Sequence, residues 1–224
     1  MLKTERMDRV RAALRAQGLT QMIVCDPKSV WYLTGVAVEP YERLLALYLP
    51  TEGEPVLFLN RLFNVPEPPC RTVWHTDTDK PVAQIAEVVD AGRPLGIDKE
   101  WPAKFLIPLM ETHPGMQVVL SSDCVDDCRA CKDAEEQTLM REASRINDAV
   151  NEAAKHYIKA GMTEREVAEF IDAQYRAHGC EGPSFTTIVS FGANAADPHH
   201  EPDDTVLTEG DCVLCDMGCV KGRY

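Results

Sequence analysis

Residues 185–224 read FTTIVSFGANAADPHHEPDDTVLTEGDCVLCDMGCVKGRY, and the fold turns on how this stretch is parsed. An apolar strand, Ser184 to Phe191, leads into the small-residue loop Gly192-Ala193-Asn194-Ala195-Ala196 and then to the pair His199-His200. A turn at Glu209-Gly210 opens a second strand, Cys212 to Met217, in which Val213 and Leu214 are apolar and Asp216 is not. A carboxylate inside such a strand costs several kcal/mol unless it is paired, hydrogen-bonded or bound to metal. Gly218, two residues on, faces the same side and leaves room beside it. Residue types alone leave two readings open: a ligand-bearing site, or a turn-capping Asp with a surface pair of histidines.

Upstream of that stretch, Thr163-Glu164-Arg165-Glu166 is a capping box that starts a helix with Val167, Phe170, Ile171 and Tyr175 on its apolar face. Before it, a long helix puts Leu139, Ala143, Ile146, Val150, Ala153 and Tyr157 on one face and ends at Gly161. The polar run SSDCVDDCRACKDAEEQ from Ser121 reads as a linker into that helix. Nearer the N-terminus, Met7, Val10 and Leu14 form a helical face closed by Gly18, and Gln21 to Cys25 is a buried strand ended by Asp26-Pro27. Ser29 is the expected cap of a short helix, Val30 to Leu33, stopped by Gly35. Leu44 to Leu49 and Pro55 to Leu59 predict an antiparallel hairpin. Val82 to Val89 and Ala103 to Met110 predict helices, and Pro94 to Ile97 and Gln117 to Leu120 predict strands.

Strands alternating with helices, plus one hairpin, predict a three-layer α/β domain with a mixed sheet and flanking helices over residues 1–128. An α+β domain follows over residues 129–224. Its two amphipathic helices and two strands expose more apolar surface than they can cover, and Lys221 to Tyr224 reads as a turn into a further strand. The expectation is a chain that continues past Tyr224.

The formal charge of −13, unrelieved by any Lys/Arg cluster, argues against nucleic acid or an anionic membrane as partner. No apolar stretch approaches the roughly 20 residues that span a bilayer. The N-terminus is a charged amphipathic helix, not a signal peptide. Nine cysteines without a small-scaffold pattern suit reduced thiols, so the expected location is cytoplasmic.

The run from Pro198 to Tyr224, PHHEPDDTVLTEGDCVLCDMGCVKGRY, resembles the pita-bread metallopeptidases, which include Xaa-Pro dipeptidases and Xaa-Pro aminopeptidases. Asp26-Pro27 with Trp31-Tyr32-Leu33-Thr34-Gly35 resembles the start of the creatinase/prolidase-type N-terminal domain. Arg129-Ala130-Cys131-Lys132 with Glu135-Glu136 resembles that family's entry into its catalytic domain. The resemblance implies the first part of a pita-bread catalytic domain behind the N-terminal one, a proline-containing peptide as substrate, and a homodimer. It also implies two divalent metal ions held by two Asp, one His and two Glu. Asp216 matches the first Asp ligand, and the other four would follow Tyr224. His199 matches the substrate-side histidine that helps steady the tetrahedral intermediate and is not a ligand; His200 is taken with it as substrate-binding. Oxygen-rich ligation with one imidazole fits Mn²⁺, with Co²⁺ or Zn²⁺ able to substitute. Such a pair of ions activates water and polarises the scissile carbonyl.

Other readings rest on weaker signals. Cys124, Cys128 and Cys131 have the C-x3-C-x2-C spacing of radical S-adenosylmethionine enzymes, but Ala130 stands where an aromatic residue is usual. Cys212, Cys215 and Cys219 lack a zinc knuckle's pairing. A creatinase-like hydrolase of non-peptide C–N bonds would not need an Asp at 216, and a peptide-binding module would need no ligand set. His75, His113, His156 and His178 read as solvated, and Arg43 as a surface charge.

Overall fold

Met22 and Val24 face one layer of helices and Ile23 faces another, and this alternation organises the first half of the chain. The computed structural model describes residues 2–224 and divides the chain into two units, Met1–Cys131 and Lys132–Tyr224. Unit 1 runs α1 (Thr4–Ala16), β1 (Gln21–Val24), α2 (Pro27–Thr34), β2 (Ala46–Pro50), β3 (Val56–Asn60) and β4 (Arg71–His75). It continues through α3 (Pro81–Ala86), β5 (Leu95–Ile97), α4 (Ala103–Thr112), β6 (Val118–Leu120) and α5 (Asp123–Ala130). Among the described residues its strands form one six-stranded sheet in the order β4-β3-β2-β1-β5-β6. The β2–β3 hairpin is antiparallel, as is β1 with β2, whereas β3–β4, β1–β5 and β5–β6 are parallel. The sheet is therefore mixed.

Each sheet face carries its own core. Met22, Val24, Leu47 and Leu57 pack with Val10 and Leu14 of α1, Leu33 of α2 and Val125 of α5. Ile23, Ala46 and Phe58 pack with Ile85 of α3 and Leu109 of α4 on the other face. This is the three-layer α/β arrangement, reached because the buried strands are apolar on both sides. Phe58 is fully buried at the centre of the second core, paired with Ala46. Phe58→Ala is expected to destabilise unit 1 by about 3–5 kcal/mol in chemical denaturation, the usual penalty for emptying an aromatic core site.

Three local expectations are corrected. Asp26, not Ser29, caps α2: its carboxylate accepts from the amides of Lys28 and Ser29, and Pro27 takes the first turn, where no amide is needed. The run from Ser121 is not a linker but contains α5, whose Cys124, Val125 and Cys128 are buried, while Arg9 of α1 donates to the Cys128 carbonyl (2.7 Å). Edge strand β4 was not anticipated. Its residues are mostly half-exposed and do not alternate.

Unit 2 contains α6 (Ala134–Tyr157), α7 (Glu164–Ala177), β7 (Gly182–Pro183), β8 (Ile188–Phe191), β9 (Val213–Asp216) and β10 (Cys219–Val220). The strand expected over Ser184 to Phe191 is thus shorter, Ile188–Phe191, with the two-residue β7 ahead of it; β7 pairs with β10, and β8 with β9, each antiparallel. Asp133 and Thr163 head complete capping boxes for α6 and α7. Val150 and Ala154 of α6 meet Val167, Ile171 and Tyr175 of α7 and Val189 and Phe191 of β8 in one core. The Tyr157 and Phe170 rings stack at 3.8 Å beside it. That core fixes the start of α7 against the end of β8, where the site lies.

Candidate active-site loop and metal-facing strand

In the β8–β9 ladder, Ile188 pairs with Asp216, Val189 with Cys215, Ser190 with Leu214 and Phe191 with Val213. Opposed residues share a face, so Val189 and Phe191 turn into the core and Asp216 shares the other face with Leu214 and Ser190. On that face Asp216 is exposed and Leu214 is 37% exposed. This corrects the reading from sequence, which placed the carboxylate in a buried strand; β9 is the outer strand of a two-stranded ladder, and its Leu214 and Asp216 side chains are exposed. The Asp216 carboxylate has no hydrogen bond or ion pair among the described residues. Ser190 is fully buried on the same face, and its hydroxyl has no partner among them.

The loop that leaves Phe191 begins with a 3₁₀ turn, Gly192–Ala196, and is tied down by one side chain, Glu164. Glu164 opens the first turn of α7 and is completely buried. One carboxylate oxygen accepts from the Phe191 amide (2.7 Å) and from Asn194 Nδ2 (3.0 Å). The other accepts from His200 Nε2 (2.7 Å) and the Asp203 amide (3.1 Å). With Nε2 protonated toward Glu164, the two Asn194 amide hydrogens go to Glu164 and to Thr205 Oγ1 (3.1 Å). The loop's far end also fills the open amides of the helix start, Glu164 donating to the Thr205 carbonyl and Arg165 to that of Asp203 (both 3.2 Å). The Glu164 hydrogen bond, with Asp203 and Asp197 nearby, raises the pKa of His200 above its ordinary value.

His199 lies on the outside of this loop. Its amide donates to Asp197 Oδ1 (3.0 Å), while its ring is exposed and has no hydrogen bond among the described residues. The structure does not join the expected site residues directly. The loop departs from the Phe191–Val213 end of the ladder and Asp216 sits at the Ile188 end, three residues or roughly 10 Å along the strand.

Glu164, His200 and Asp203 are the one group of three or more potential metal-binding side chains that comes together among the described residues. They fit a metal ion poorly. All of the roughly four acceptor positions of the Glu164 carboxylate are occupied by protein donors. Asp216 fits better: an exposed, unengaged hard oxygen donor suits an oxygen-coordinated divalent cation.

Elsewhere the structure amends the plainer readings. His75 is buried and not solvated, with Nε2 3.0 Å from the Leu44 carbonyl and Nδ1 beside Asn60. His113 reaches the Ala86 carbonyl (3.0 Å). Arg43 makes a two-pronged pair with Asp77 (2.9 and 3.0 Å). Burial pushes the Cys124 thiol up to about 11, the wrong direction for a thiolate ligand. Glu164 is the residue that sequence reasoning missed. It was seen only as part of a capping box, whose working members are Thr163 and Glu166.

Comparison with known proteins places these features in context. Residues 6–131 match the creatinase/prolidase N-terminal domain, and residues 138–224 match metallopeptidase family M24. An uncharacterized peptidase of Staphylococcus aureus is 31% identical over 212 residues, covering 90% of this chain and 58% of its own length. A dipeptidase, PepE, from Mycobacterium ulcerans superimposes with a TM-score of 0.88 at 29% identity, over 98% of this chain and 61% of its own. A prolidase from Thermococcus sibiricus gives 0.89 at 27% identity, over 99% and 62%. The chain thus spans about 60% of the length of the relatives it matches. No helix among the described residues is long and apolar enough to cross a membrane.

Proposed function

Because the chain belongs to the pita-bread group of metallopeptidase family M24, with the creatinase/prolidase-type N-terminal domain in front, we propose that it serves an Xaa-Pro peptidase of dipeptidase or aminopeptidase type. The observation that carries this reading is Asp216, exposed and unengaged on β9, with the His199 loop rising from the partner strand β8. In this reading the domain limits are residues 1–128 and 129–224, the protein is a cytoplasmic homodimer, and its substrates are proline-containing peptides.

Asp216 supplies a carboxylate oxygen to one of two divalent ions, Mn²⁺ by the chemistry of the ligand set, with Co²⁺ or Zn²⁺ as substitutes. When bound, the ions supply Lewis acidity toward the scissile carbonyl and let water act as a nucleophile near neutral pH. His199 offers an N–H to the oxygen on which charge develops, and a donor of that kind is worth roughly 3–4 kcal/mol when it is well aimed. His200 holds the loop through Glu164, so its contribution to substrate binding is indirect.

Of the implied ligands, residues 1–224 hold Asp216 alone. A purified polypeptide of these residues is therefore expected to bind Mn²⁺ weakly and to leave Ala-Pro and Xaa-Pro-Yaa peptides intact. Robust cleavage by it would overturn the reading of the ligand set. A polypeptide carrying the whole ligand set is expected to cleave one of the two substrate types and to lose that activity to a chelator. Metal loading without cleavage of either would count against an Xaa-Pro peptidase.

A further inference from the structure

We propose that Glu164 is the positioning residue of this site: its buried carboxylate, acting through His200, sets where the loop presents His199. The inference rests on reading His199 as the substrate-side histidine and adds a residue that the family likeness did not point to. Four donors converge on one side chain, and they come from the loop's entrance (Phe191), its middle (Asn194), the neighbour of His199 (His200) and its exit (Asp203). The anchor is rigid, because Val167, Ile171 and Tyr175 bury the rest of α7 in the core. His199 has no ring contact of its own to orient it among the described residues, so its position follows from the backbone that His200 holds. The Glu164 charge is also placed at the positive end of the α7 dipole, where an acid is favoured.

Charge is part of the device. The groups facing His200 are Glu164, Asp203 and Asp197, all acidic, and together they favour the imidazolium. Because its pKa is raised on folding, the clamp's charge-dependent contribution is complete below the ordinary histidine range. It is lost as pH rises through the raised value.

The test is imidazole and amide NMR on residues 1–224, comparing the parent chain with Glu164→Gln, which keeps the side chain's size and removes its charge. The expected results are a lower His200 titration midpoint, displaced His199 ring signals, and Asp203 amide exchange about tenfold faster, with Val150 and Ile171 unchanged. Should Glu164→Gln fail to fold, His200→Gln gives the same test: the carboxylate and its three other donors remain, and the His199 signals are expected to move. His199 signals identical to the parent's in the folded variant overturn the positioning role, whatever the chain hydrolyses. In a polypeptide with the whole ligand set, Glu164→Gln is expected to lower kcat more than it raises KM, at unchanged metal content. If that polypeptide shows no Xaa-Pro cleavage while its loop remains pinned by NMR, the peptidase reading fails and the clamp stands.

Discussion

Glu164→Ala is expected to destabilise unit 2 by about 3–5 kcal/mol, the range found when one partner of a buried charged network is removed. The change takes the acceptor from four donors at once. The Phe191 amide is buried and has nowhere to turn, and His200 loses its nearest acidic partner. A penalty of this size is a large part of the roughly 5–15 kcal/mol that holds a domain folded. The protein's three tryptophans, Trp31, Trp74 and Trp101, all belong to unit 1, whereas Tyr157 and Tyr175 belong to unit 2. Near-UV signals from Tyr157 and Tyr175 should therefore report the change directly, as a lower denaturation midpoint. Glu166, two residues on, is an exposed capping-box member, and its loss removes a cap worth about 1 kcal/mol. A Glu164→Ala cost as small as that would mean that water replaces the carboxylate, and the network would not be the anchor described.

The contrast between these two glutamates shows what was legible in the sequence. Glu166 acts on Thr163, three residues away, and the capping box announces it. Glu164 acts on groups 27 to 39 residues away, and a first-turn glutamate is ordinarily a solvated charge. The same distinction runs through the fold. The β1–β2–β3 core was readable because Gln21–Val24, Ala46–Pro50 and Val56–Asn60 are dense apolar runs, the last two joined by a local turn. Helix α5 was hidden because Asp123, Asp126 and Asp127 outweigh its buried face of Cys124, Val125 and Cys128. Strand β4 was hidden because its pairing with β3 is set by backbone hydrogen bonds, not by an alternating pattern of its own. At the site, spacing and resemblance singled out His199 and Asp216, but the argument that Asp216 must be buried came from its neighbours' hydrophobicity. Val213 and Leu214 are themselves more than a third exposed. An apolar strand at the margin of a domain need not be a buried one.

That exposure is what makes Asp216 a discriminating position. With no hydrogen bond and no ion pair among the described residues, Asp216→Asn is expected to change the stability of residues 1–224 by less than about 0.5 kcal/mol, the range of ordinary surface substitutions. In a polypeptide with the whole ligand set, the same change is expected to lower kcat/KM at least about 1,000-fold. A ligand worth several kcal/mol of transition-state charge stabilisation is then replaced by a neutral amide. Metal content measured on the same samples should fall below two ions per chain. The two readings left open by residue type make opposite forecasts. A turn-capping aspartate would cost stability when changed and leave turnover alone; a ligand costs turnover and leaves the isolated chain as stable as before. Asparagine is the stringent choice because it keeps the shape and one oxygen, so any loss is owed to the charge. An Asp216→Asn protein that kept both its metal and its rate would remove Asp216 from the site, and with it the one ligand by which residues 1–224 join the proposed chemistry.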